Sequence, residues 1–210
     1  MNGYSDGGSV YGVAVGIVKE NQDPDNLGRV QVEFPCWENQ GATHWARVTT
    51  PMAGTEMGMF FLPEIGDEVL IAFENGSFYS PYVIGSLWNG ADKPPETNDD
   101  GKNNIRTIKS RSGHCITFDD NAEGSSEKLV ISSAAGNIIT LDDASGGECI
   151  SIADKSGNKI TIDAAQNAIA LECTGEFSIK ASSVAIEAQT TIDIKANATL
   201  TLKGAMTQIN

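Results

Sequence analysis

Aromatic side chains are nearly absent from the second half of this chain. They make up 7% of its 210 residues, and Phe34, Trp37, Trp45, Phe60, Phe61, Phe73, Phe78, Tyr79, Tyr82 and Trp88 all precede residue 90. Two cores of different kinds are expected: an ordinary globular one first, then a narrow one of Ile, Leu and Val where rings do not fit. Basic residues are also scarce, with 14 Lys and Arg against 28 Asp and Glu for a net charge of −14. To Asn104 there are 5 basic and 15 acidic residues; the remainder holds 9 and 13. A polyphosphate partner is excluded on that ground, because such affinity comes from Lys and Arg displacing counterions. Electrostatic attachment to an anionic bilayer is disfavoured for the same reason. The four cysteines, Cys36, Cys115, Cys149 and Cys173, are widely separated and form no C-x-x-C pair. Neither a disulfide framework nor a zinc site follows from that spacing, and Cys173, in phase with Ile169 and Leu171, reads as a small inward hydrophobe. No apolar run approaches the ~20 residues of a membrane-spanning helix. Met1 to Gly8 is polar and glycine-rich, so the chain is expected to be made in the cytoplasm without a signal peptide.

What is present is repetition. Ser112-Gly113-His114-Cys115-Ile116-Thr117-Phe118-Asp119-Asp120 returns as Ala135-Gly136-Asn137-Ile138-Ile139-Thr140-Leu141-Asp142-Asp143, and again as Ser156-Gly157-Asn158-Lys159-Ile160-Thr161-Ile162-Asp163. Beyond Asn167 the pattern tightens to apolar pairs two residues apart: Ile169/Leu171, Phe177/Ile179, Val184/Ile186, Ile192/Ile194 and Leu200/Leu202. From Val184 onward the pairs recur every eight residues. Alternation within a pair predicts a strand with one buried face, and fixed spacing between pairs predicts regular stacking of such strands.

The first half reads as short strands with turn punctuation. Strands are expected over 10–18, 29–34 (Val30, Val32 and Phe34 on one face), 45–49, 68–74 and 82–87, with Asn21 to Gly28 as a turn-rich loop. Asn75-Gly76 predicts a tight hairpin between the fourth and fifth. Five strands with a long excursion between the third and fourth suit a small Greek-key barrel of the OB type. Helical periodicity is sustained nowhere, so the fold class is all-β. The domain plan is an N-terminal arm over 1–9, an OB barrel over 10–88, a polar linker over 89–104 and a β-rod over 105–210.

Two constructions suit the rod. One chain could coil into a solenoid of roughly 20 residues per turn, matching the spacing of Gly113, Gly136 and Gly157. Alternatively three chains could interleave into a triangular prism, each octad giving one strand to one face before turning to the next. The short turns Ala181-Ser182-Ser183 and Ala196-Asn197-Ala198 favour the second. Ile169, Leu171, Phe177, Ile179, Val184, Ile186, Ile192, Ile194, Leu200 and Leu202 are then the trimer core.

Residues of the first half now carry a resemblance. Asn21-Gln22-Asp23-Pro24 through Leu27-Gly28-Arg29-Val30-Gln31-Val32 resembles the OB domain of phage baseplate assembly protein V and of VgrG spike proteins. So, in order, do Trp45-Ala46-Arg47-Val48, Pro51-Met52-Ala53-Gly54 and Pro63-Glu64-Ile65-Gly66-Asp67-Glu68-Val69-Leu70. Phe73-Glu74-Asn75-Gly76, Pro81 to Trp88 and Lys93-Pro94-Pro95 complete the series. The resemblance implies a homotrimeric central spike of a contractile injection system: an OB-fold barrel followed by an intertwined trimeric β-helix, or triangular β-prism. It also implies contact with a baseplate hub and tube-initiator proteins, assembly into a phage tail or injection particle, outward delivery and transient passage through a target cell envelope. VgrG chains usually carry a large N-terminal hub domain, whereas here the OB strand begins almost at once. The iron-binding His-x-His tip of some phage spikes has no counterpart, the only histidines being His44 and His114. A separate PAAR-repeat tip protein is expected instead, docking on Met206, Gln208, Ile209 and Asn210.

Catalytic signatures are lacking: there is no G-x-S-x-G, phosphate-binding glycine loop or H-E-x-x-H. Asp119-Asp120, Asp142-Asp143, Asp154 and Asp163 suggest a calcium ladder or paired catalytic carboxylates, but Asp at strand ends is ordinary turn chemistry. No cofactor, metal or nucleic acid is expected. Trp37, Trp45 and Trp88 read as core or interface residues, and Arg29 and Arg47 as hub or intersubunit contacts. The expected function is a non-enzymatic puncturing spike; the alternative is a trimeric tail fibre or adhesin that binds a surface glycan.

Overall fold

The alternation at Val30, Val32 and Phe34 belongs to a closed barrel. A computed structural model describes residues 9–36, 44–123 and 125–208. The chain separates into two compact units, residues 1–109 and 110–210. The first half contains β1 (Val13–Glu20), β2 (Val30–Glu33), β3 (His44–Val48), the short β4 (Ala53–Gly54) and β5 (Met57–Gly58), then β6 (Glu68–Phe73) and β7 (Pro81–Ser86). Five of these close in the order β1-β2-β3-β7-β6, with β3 and β7 parallel and the remaining pairs antiparallel. That is the five-stranded, OB-like barrel expected, and the long excursion between its third and fourth strands is the β4–β5 hairpin.

Inward positions of alternate strands make the core. Val18, Val30, Val32, Ala46, Val69, Ile71 and Val83 are essentially inaccessible to solvent. Phe34, Phe73 and Phe78 close one part of it, their ring centroids 5.2–5.8 Å apart. Gly16 is required in β1, because a Cβ there would meet the Ile71 side chain at 3.1 Å. Aromatics do therefore fill this core, but Trp88 lies outside it at 69% exposure. Trp37, Met1 to Gly8, Ile209 and Asn210 lie outside the described residues.

Two boundaries differ from expectation. The first strand starts at Val13 because Gly12, at φ +131°, bends the backbone after Tyr11. The Asn75-Gly76 signal marks a real left-handed turn (φ 50° and 77°). It opens a seven-residue connection over 74–80, not a two-residue hairpin, because Ser77 N–H bonds back to Glu74 and Glu74 N–H to Ser80.

In the second half β8 (Ile105–Lys109), β9 (Cys115–Asp119), β10 (Lys128–Ser132), β11 (Ile138–Asp142), β12 (Cys149–Ala153), β13 (Lys159–Asp163) and β14 (Ala168–Glu172) form one sheet, each strand beside the next in sequence. From β9 to β14 the neighbouring strands pair antiparallel. The Ser/Ala-Gly-His/Asn repeats are its alternate hairpin turns. Ser133 N–H donates to Asn137 O at 2.9 Å while Gly136, at φ +91°, donates to Ser133 O at 3.0 Å; residues 110–114 and 154–158 do the same. These are tight turns whose glycine takes the left-handed position. The repeat of roughly 20 residues is thus one pair of strands in a meander. This overturns the solenoid alternative, and it also means that residues 105–172 pair within the chain instead of interleaving strand by strand. From Cys173 onward no strand is present among the described residues, although strands were expected at each apolar pair. No helix among the described residues is long and apolar enough to cross a membrane.

Candidate assembly interface

Register places the apolar residues of the sheet in two straight rows on one face. One row is Phe118, Leu129, Leu141, Ile150, Ile162 and Ile169; the other is Ile116, Ile131, Ile139, Ile152, Ile160 and Leu171. The opposite face carries Thr117, Val130, Thr140, Ser151, Thr161 and Ala170 along its centre. The strands are built for this: positions two and four are large and apolar, while the odd positions are mainly small or polar. Yet ten of the twelve residues in the apolar rows are exposed, from 37% at Ile139 to 73% at Ile169, with Ile116 and Leu129 half-buried. A contiguous apolar face of that extent marks an interaction surface.

The surface continues past Glu172. Phe177 joins Ile152, Ile160 and Leu171 in lining an apolar cleft of about 340 Å³. Ile179, Val184, Ile186, Ile192, Ile194, Leu200 and Leu202 keep between 49% and 68% of their surface. Every residue of the expected trimer core is therefore exposed in the single chain. Cys173, expected to point inward, is exposed as well. Met206 is 86% exposed and Gln208 is exposed.

The acidic residues of the rod serve its turns. Asp119, Asp142 and Asp163 accept backbone N–H bonds from Asn121, Ala144 and Gln166. Asp154 accepts from the Asn158 side chain at 2.7 Å and from the backbone of Ser156 and Asn158, which holds its carboxyl below the ordinary range. Among the described residues no group of three or more His, Cys, Asp or Glu could hold a metal ion.

Arg29 and Arg47 have different surroundings. Asp23, buried in the loop after β1, accepts from Arg29 Nε at 3.0 Å and Nη2 at 2.7 Å, and from the backbone of Asp25, Leu27 and Arg29. Arg29 also pairs with Asp25 and lies over the Trp45 ring at 5.6 Å. The Arg29 guanidinium and three backbone donors hold the Asp23 carboxyl well below the usual carboxylate range, and the two carboxylates raise Arg29. The pair ties the turn, with Asn26 and Gly28 at positive φ, onto the barrel. Sequence reasoning singled out Arg29 but missed its partner. The signal was the Asp-Pro opening a turn that returns at Gly-Arg.

Arg47, by contrast, lies over the Tyr82 ring at 5.5 Å, and among the described residues it forms no ion pair. His44 packs edge-on to Phe78 at 4.7 Å, and its buried Nε2 has no hydrogen-bond partner among the described residues. Burial lowers its pKa.

Comparison with known proteins agrees with this geometry. Residues 14–88, the barrel, match the family described as the type VI secretion system/phage-baseplate injector OB domain. The chain is 34% identical over 109 residues to the type VI secretion system spike protein VgrG2a of Pseudomonas aeruginosa, covering 50% of this chain and 13% of that protein. It is 30% identical over 131 residues to spike protein VgrG3 of Vibrio cholerae, covering 58% and 13%. The actin cross-linking toxin VgrG1 of Vibrio cholerae is 33% identical over 95 residues, covering 43% and 9%. The matched stretch thus spans only a small fraction of each relative's length. The barrel is thus similar to the injector OB domain, and the sequence is similar to several VgrG spike proteins over about half of this chain.

Proposed function

We propose that the chain is a non-enzymatic central spike that works as a homotrimer, joining a baseplate hub and tube to a tip and piercing a target envelope when a sheath contracts. One observation carries this reading: a sheet face of two apolar rows, most of its side chains exposed, runs on into octads that form no ladder among the described residues. Both deficits are met at once by two further copies. Three meander sheets facing inward bury the two apolar rows as a prism, and the octads then find on neighbouring chains the backbone partners they lack. The rod's scarcity of aromatics suits such a narrow interior.

The remaining assignments follow the spike reading. Residues 1–9 act as an arm, 10–88 as the OB domain, 89–104 as a linker and 105–210 as the spike. Ile169, Leu171 and the apolar pairs from Phe177 to Leu202 form the trimer core. A hub and tube initiators meet the OB domain, and a PAAR-repeat protein caps the end near Met206 and Gln208. The particle is assembled in the producing cell and delivered outward.

Light scattering coupled to size exclusion tests the reading. Three chains of 22.2 kDa, about 67 kDa, with an elongated profile at micromolar and nanomolar concentration are expected. A monomer would remove both the prism and the spike.

A further inference from the structure

The barrel carries two apolar patches of its own, separate from the rod and of unlike shape. The first is a rung across the outside of four neighbouring strands. Arg47 of β3 pairs with Tyr82 of β7, Tyr82 with Ala72 of β6, and Ala72 with Val13 of β1. Val15 beside Leu70, and Ile84 two residues beyond Tyr82, extend it by a second row. Val13, Val15 and Ile84 keep 57%, 39% and 44% of their surface. This patch is made of aliphatic side chains around the Tyr82 ring, with the Arg47 cation at its edge and Glu74 accepting from the Tyr82 hydroxyl at 2.9 Å.

The second patch is the β4–β5 hairpin, which protrudes. Met52, Met57, Phe60 and Phe61 are between 52% and 77% exposed, and methionine suits a surface that adapts to its partner. Glu56 sits at the hairpin's tip with φ 54°. From Val48 through Pro63 it is the only charged residue.

Charge points from one patch to the other. The barrel over 10–88 has three cations. Lys19 is paired with Glu33, and Arg29 with Asp23 and Asp25, while Arg47, beside the apolar rung, lies over the Tyr82 ring and forms no ion pair among the described residues. Two unlike patches on one barrel, one with a single carboxylate and the other edged by a cation, suit a heterologous contact, which closes into a ring when the rotation between copies allows it.

We infer that the β4–β5 hairpin of one copy docks on the β1–β6–β7 face of the next, with Glu56 against Arg47. The inference rests on the trimer reading and assigns its OB-domain contact to a second copy of this chain. In that arrangement Met57 lies against Val15 and Ile84 of the neighbour, and the rim ion pair sets the orientation.

A photo-crosslinking amino acid, benzoylphenylalanine, placed at position 57 of the full chain tests this. The expected result is a two-chain species on denaturing gels whose cross-linked peptide contains Val15 or Ile84. Glu56→Arg should lower its yield several-fold, and adding Arg47→Glu should restore it. A three-chain mass with cross-links elsewhere, with none, or only to a co-purifying protein would overturn the docking while leaving the trimer intact. A full yield in the Glu56→Arg single variant would overturn the ion pair's role. A one-chain mass would remove the trimer reading and the inference together.

Discussion

Replacing Ile152 by Ala separates a bare sheet face from a buried one. Ile152 lies in the middle of one apolar row, between Ile139 and Ile160, and is 46% exposed in the single chain. If that exposure persists in solution, the truncation removes only a half-covered side chain, at a cost of about 1 kcal/mol. If two other copies cover it, the change leaves a cavity in a closed core, costing about 2–5 kcal/mol per site and roughly three times that per trimer. Ser151→Ala is the control, since Ser151 points to the opposite face and should change stability by less than about 0.5 kcal/mol. The assay is guanidinium unfolding of the full chain at two protein concentrations a hundredfold apart. The expected outcome is a large drop in midpoint for Ile152→Ala, a negligible one for Ser151→Ala, and concentration-dependent midpoints for all three proteins. Equal and small effects, with no concentration dependence, would refute the reasoning.

Asp23→Asn should lower stability at neutral pH and flatten the acid branch of the stability curve. The native carboxyl is depressed, so its contribution is full above the unfolded value near 3.9 and is lost as pH falls through the lower folded one; unfolding midpoints from neutral pH into acid read this directly. His44 is held neutral by burial, so its contribution is present above the unfolded value of about 6.5 and falls as pH drops toward the folded one. His44→Leu should remove that slope in thermal melts between mildly alkaline and mildly acidic buffer. Gly136→Ala meets only an ordinary van der Waals contact, Lys155 Cβ at 3.5 Å. It should therefore cost only the backbone strain of a left-handed residue, about 1–2 kcal/mol per chain, measured by the shift in melting temperature.

The parts legible in the sequence were those whose signal is local. Val30, Val32 and Phe34 announced a strand because their inward faces meet one core, and the Gly113, Gly136 and Gly157 repeats announced a period, though not that each glycine makes a hairpin turn at positive φ. The β4–β5 hairpin was hidden: Ala-Gly and Met-Gly have no alternation, and its two-residue strands are held by only two register pairs. Asn75-Gly76 misled about length because a β-turn signal says where the chain reverses, not where the next strand resumes. The partner of Arg29 was missed because the Asp23 contact depends on a loop folding back six residues. The octads read as strands from their apolar pairs, but among the described residues they form no ladder within the single chain.

Cys173 therefore divides the rod by reaction order. Each strand of the meander up to Glu172 finds its neighbour a short turn away, so its closure is first order, with a small entropic cost that no dilution can raise. In the proposed trimer the octads beyond it pair with other chains, and for a free chain that step would depend on the square or cube of concentration. Once three meanders have joined, the octads are tethered at one end and the same step becomes intramolecular, at a local concentration fixed by the few residues that separate each segment from the closed prism. Closure then runs in one direction, from the sheet toward Leu202, and the prefolded half acts as the catalyst for the half that cannot fold alone.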